Sequence, residues 1–147
     1  LKPNPDTTLT VPSSATGVIS VGGYDNFANS IYSKSGRGFT IDDRVKPDMV
    51  APAVNVFGPT VGREAILQGG FTRKTGTSVS TALVAGCCAL MFQWGMVNGN
   101  DPYMNGISVK NYLIRGAWQG RKIDYPNRQW GYGEVDVFNS FLILTRS

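Results

Sequence analysis

The sequence has 147 residues, 41% of them hydrophobic, and a formal charge of +4; this suits a single domain with an ordinary globular core. Its basic residues, among them Arg37, Arg44, Lys46, Arg63, Arg73, Lys74, Arg115, Arg121 and Lys122, are spread thinly, which argues against nucleic acid as a partner. Histidine is absent, so the chain does not contain the base that most often takes a proton from a nucleophilic serine.

The opening Leu1 to Asp6 is proline-spaced and polar, with the start signal of neither helix nor strand. It reads as a start inside a longer domain. Thr8 to Val11 alternates weakly, Pro12-Ser13-Ser14 turns the chain, and Val18 to Val21 reads as an inner β-strand stopped by Gly22-Gly23. Asn26 to Ser30 is turn-like, and Ser35-Gly36-Arg37-Gly38 is a loop. Met49 to Ala51 reads as a short buried strand ended by Pro52, and Asp48, which follows Pro47, as a turn or cap residue. Asn55 to Gly58 and Ala65 to Leu67 read as two further strands, with Gly69-Gly70 turning Phe71-Thr72 back in a hairpin.

A long helix is expected from about Ser80 to about Trp94, apolar on every face and therefore buried. Cys87 and Cys88 are adjacent within it, cannot easily bridge one another, and read as small core residues. The unbroken apolar run Ala82 to Phe92 is too short to span a bilayer, and no signal peptide opens the chain. After the polar loop Asn98 to Pro102, Ser108 is expected to cap a surface helix with Val109, Tyr112 and Leu113 on one face. A last helix falls within Tyr132 to Leu144 and starts near Asp136.

The stretch Gly76-Thr77-Ser78 stands directly before the long helix. Ser and Thr there can serve as helix caps with no chemistry. They can also place a serine oxygen at the mouth of a helix N-terminus, where the first N–H groups and the macrodipole favour negative charge.

The extended pattern Gly76-Thr77-Ser78-Val79-Ser80-Thr81-Ala82-Leu83-Val84-Ala85-Gly86 resembles the nucleophile segment of the subtilisin-like serine proteases, the subtilases. Lys46-Pro47-Asp48-Met49-Val50-Ala51-Pro52-Ala53 resembles the family's K-P-D-x-x-A-P-G strand and turn, Val18-Ile19-Ser20-Val21-Gly22-Gly23 its V-I-x-V-G-A strand, and Trp130-Gly131-Tyr132-Gly133-Glu134-Val135-Asp136 its G-x-G-x-v-d segment. These motifs occur in family order. The resemblance implies an α/β fold in which residues 1–147 are the C-terminal part of a catalytic domain, with a mostly parallel sheet and a buried central helix. It implies that Ser78 is the acyl-forming nucleophile, that the Ser78 backbone N–H lines the oxyanion hole, and that the Thr77 hydroxyl adds a contact there. The family's Asp, His and Asn oxyanion donor fall upstream of Leu1, so the isolated chain is expected to be inactive.

Two residues depart from the family pattern: Ala82 stands where Pro is usual, and Ala53 where Gly is usual. If that Gly serves a positive φ, Ala53 is strained by about 1 kcal/mol. Gln93 to Tyr103 and Val109 to Ala117 are similar to clostridial, germination-protease-like subtilases, and that likeness implies an anaerobic Gram-positive source, with the protein secreted or at the cell envelope or spore. The implied partners are a protein or peptide substrate and the upstream half of the domain, with self-association of the isolated chain, no nucleic acid and no membrane span. No cofactor is implied, and a structural calcium or other cation is not readable from these residues. Three functions follow: part of an active endopeptidase, a pseudoprotease that binds or regulates, or a free-standing interaction domain.

Overall fold

The structure is a computed structural model that describes residues 4–67 and 69–146. Its centre is a three-stranded sheet in the order β2-β1-β3, built from β1 (Val21–Asp25), β2 (Ser30–Ile31) and β3 (Met49–Pro52). β1 and β3 run parallel, pairing Val21 with Met49 through Tyr24 with Pro52. β2 is antiparallel to the far end of β1, pairing Ile31 with Tyr24. On the other side of β3, Val50 bridges to Glu134 in parallel, which ties the C-terminal segment to the sheet.

The expected mostly parallel sheet is therefore only partly present. A second sheet, β4 (Val56–Pro59) with β5 (Phe71–Lys74), is antiparallel. A hairpin is present, but β5 pairs with β4 and not with Ala65 to Leu67, which are not a strand: these residues belong to a short helix, α1 (Arg63–Leu67), between β4 and β5.

The first strand also lies further along than Val18 to Val21. Gly22 and Gly23 do not stop it; they lie inside β1 as spacers. A Cβ on Gly23 would stand 2.6 Å from the Ala53 Cβ, closer than packed carbon atoms allow. The missing side chain lets the segment after β3 press against β1.

The long helix α2 (Thr77–Phe92) begins three residues earlier than expected and runs on into a π-helical turn, Gln93–Val97. Within α2 only Ser80, Val84 and Met91 are buried, a single stripe laid across the sheet. Leu83 and Leu90 are 40% and 51% exposed, which corrects the expectation of a helix buried on all sides. The continuous run Thr77–Val97 is 21 residues and is long and apolar enough to cross a membrane. This corrects the shorter length read from Ala82 to Phe92. A core helix of a soluble domain has the same composition; here 22% of the run's apolar window is buried within the chain.

The main core joins Met49 and Ala51 of the sheet to Val84 and Met91 of α2 and to Val109, Leu113 and Leu144 of the last two helices. Cys87 and Cys88 are free and half-buried against it, and burial pushes both thiols up. α3 (Gly106–Gly116) buries Val109 and Leu113, as its spacing predicts. Its cap is Asn105 rather than Ser108: the Asn105 Oδ1 accepts from the Ser108 N–H, and the Ser108 hydroxyl receives the Asn105 N–H, a reciprocal capping box. α4 (Val137–Leu144) starts after Asp136, whose carboxylate accepts from the Asn139 N–H at 2.9 Å.

A smaller cluster of Tyr24, Val50 and Trp130 lies on the opposite face of the sheet. There the Arg121 guanidinium lies 3.9 Å from the Trp130 ring centroid and bridges to Glu134 at 2.6 Å.

Candidate active site at the start of helix α2

The chain reaches the site through β5 and turns at Gly76, whose φ of 153° and ψ of 157° suit a residue without a Cβ. The Gly76 N–H donates to the Ala53 carbonyl at 2.8 Å, fixing the turn to the segment that leaves β3. Helix α2 then begins at Thr77, with no side chain capping its N-terminus. The Val79 N–H turns back to the Gly76 carbonyl at 3.0 Å, so among the described residues the Thr77 and Ser78 N–H groups are the ones left for an acceptor from outside. Thr77 and Ser78 therefore do not serve as the cap that their residue types equally suggest.

Ser78, the second residue of α2, is exposed, and its hydroxyl makes no hydrogen bond among the described residues. Thr77 is half-buried beside it. A concavity of about 370 Å³ runs past Thr77 and Thr81 and is floored by Val21 and Pro47; Ser78 stands next to it rather than lining it. The structure thus brings Ser78 and Thr77 together at an open, uncapped helix end, a place that can host a developing negative charge.

Two features of the site were not read from the sequence. Ser80 is fully buried, and its hydroxyl lies 3.1 Å from the Ala51 carbonyl and 3.0 Å from that of Pro52. The G-T-S-x-S spacing marked the residue but not its partner. The second is Asp48, read as a turn or cap residue, which is instead the hub of a buried charge cluster. One of its carboxylate oxygens receives the Lys46 ammonium at 2.7 Å and the Ser20 N–H at 2.7 Å; the other meets the Lys110 ammonium at 2.8 Å. Burial holds the Lys46 ammonium below the usual lysine range, against the opposing pull of Asp48. The carboxylate's partner on α3 lies far along the chain, so local spacing carried no sign of it.

The departures from the family pattern prove mild. Ala53 is buried and is not among the residues with positive φ; that conformation falls to Asn55, at 52°. The expected strain at Ala53 is absent because the turn lies two residues further on. Ala82 sits in the second turn of α2.

Ser78 is thus an exposed serine at the N-terminus of a helix laid across a β-sheet, behind a glycine turn anchored to the segment that leaves β3. The family model of the subtilases matches residues 1–133, and the chain belongs to that family. It is 39% identical to the Clostridium perfringens CspB protease, with a TM-score of 0.90 over 100% of this chain and 31% of that one. It is 33% identical to the subtilisin-like protease SBT6.1 of Arabidopsis thaliana over 93% of this chain and 13% of the relative. To the serine protease AprX of Bacillus subtilis it is 30% identical over 90% of this chain and 31% of the relative. The chain spans less than a third of the length of each.

Proposed function

We propose that this chain is the nucleophile-bearing, C-terminal portion of the catalytic domain of a serine endopeptidase, hydrolysing peptide bonds through an acyl-enzyme on Ser78. The observation that carries the reading is Ser78 itself: exposed, with a hydroxyl that makes no hydrogen bond among the described residues, and one residue into an uncapped helix within a G-T-S segment. The protease names of the relatives support it.

In this reading the Ser78 oxygen attacks the scissile carbonyl while a histidine from the upstream half, oriented by an aspartate, takes the proton. The Ser78 N–H and the Thr77 hydroxyl stabilise the oxyanion, with an asparagine side chain from upstream as the further donor. The upstream half of the domain covers the exposed side of α2 around Leu83 and Leu90, so the isolated chain self-associates through that face. Sedimentation of the isolated chain as a monomer at high concentration would count against that covering.

The isolated chain, lacking histidine, does not turn over substrate. A fluorophosphonate probe tests the assignment: it labels Ser78 in the full-length protein and not in the 147-residue chain. Equal labelling of the isolated chain would show that another base serves Ser78. Absence of labelling in both would favour a pseudoprotease.

A further inference from the structure

We propose that Ser80 is a positioning residue that holds Ser78 in its reactive place; the proposal rests on the reading of Ser78 as nucleophile. A serine or threonine inside a helix ordinarily returns its hydroxyl proton to the carbonyl four residues back. Thr81 does so to Thr77 at 3.0 Å, and Ser140 does so to Asp136 at 2.7 Å. Ser80 departs from that habit. It is 0% exposed, and its single hydroxyl proton is shared between the carbonyls of Ala51 and Pro52, on the end of β3.

The carbonyl of the next residue, Ala53, receives the Gly76 N–H at 2.8 Å. Three successive carbonyls at the exit of β3 thus hold the two residues that flank Ser78 on either side, Gly76 and Ser80. The Ser78 side chain has no bond of its own among the described residues, so its place is set by these two anchors. Gly23 adds a floor: a Cβ there would come within 3.3 Å of both the Ser80 hydroxyl and the Thr77 methyl.

Helix formation does not explain the hydroxyl, because alanine is the better helix former and fits the same space. What the hydroxyl adds is a direct link between the sheet and the first turn of α2. A small displacement of an attacking atom lowers rate without altering how substrate is held.

The test uses the full-length protein. Ser80→Ala is compared with Ser140→Ala, a second fully buried serine that lies on α4 and bonds only within its own segment. Ser80→Ala is expected to slow fluorophosphonate labelling of Ser78 and to lower kcat about tenfold, with KM changed less than about twofold. Ser140→Ala is expected to lose a similar amount of thermal stability with labelling unchanged. Ser80→Cys, which keeps the size and a weak donor, is expected to label at an intermediate rate. Labelling of Ser80→Ala at the wild-type rate, or equal slowing in Ser140→Ala, would overturn the proposal. A wild-type protein that never labels at Ser78 would instead remove the nucleophile reading on which it rests.

Discussion

Replacing Asp48 by alanine is the perturbation whose cost the structure sets most clearly. The side chains of Lys46 and Asp48 are 2% and 3% exposed and 2.7 Å apart. The Lys110 ammonium is 2.8 Å from the other carboxylate oxygen, on a side chain that is 18% exposed. Both ammonium groups also donate to the Val18 carbonyl, at 2.9 Å and 3.2 Å. Asp48→Ala leaves two cations facing one carbonyl and strands the Ser20 N–H, so the cost should lie in the upper part of the range of about 3–5 kcal/mol for breaking a buried pair. Against a typical total stability of about 5–15 kcal/mol, that is a large fraction.

Lys110→Met should behave differently. The cluster holds two positive charges on one negative, so removing the more exposed one leaves Asp48 paired with Lys46 and bonded to Ser20. We expect a cost of about 1 kcal/mol or less. Urea unfolding of the full-length protein, followed by tryptophan fluorescence, measures both. A cost below about 1 kcal/mol for Asp48→Ala, or equal costs for the two variants, would refute the view of Asp48 as a charge hub.

Tyr24 is 8% exposed, and burial, then the charge and hydrogen bond of Glu134, push its pKa from 10.0 to about 12. Because the folded value is raised, its stabilisation of about 2–3 kcal/mol is complete below pH 10 and lost as pH rises from 10 to 12; absorbance titration should show late tyrosines, Tyr24 and Tyr125, whose phenol burial also raises, and Tyr24→Phe should remove one of them. Gly23→Ala puts a methyl 2.6 Å from Ala53 and should cost about 1–3 kcal/mol, part of it recovered by Ala53→Gly in the same thermal melt. Asn105→Ala breaks the capping box of α3 and should cost about 1 kcal/mol, whereas Ser108→Ala, which keeps the Asn105 acceptor, should cost less.

Several elements were legible in the residues for plain physical reasons. The glycine turn, the small-residue helix start and the apolar run identified the segment around Ser78, and Asp136 marked the start of α4. Local pattern failed where long-range contact decides. Gly22-Gly23 looks like a strand end, but the missing side chain of Gly23 admits Ala53 from the segment after β3. Ala65 to Leu67 is too short for periodicity to separate strand from helix. The apolar surround of α2 signalled burial on all sides, yet this chain covers only the stripe of Ser80, Val84 and Met91. Ser80, and Asp48 through Ser20 and Lys110, bond to partners that only the folded chain brings near.

In the proposed function Ser78 forms a covalent acyl intermediate. Acid-quenching the full-length protein during turnover of a slow peptide ester, followed by peptide mapping, tests it most directly. An acyl adduct on Ser78 is expected to build and decay with substrate, with loss of both adduct and turnover in Ser78→Ala. Turnover that survives Ser78→Ala, or an adduct on any other residue, would contradict it.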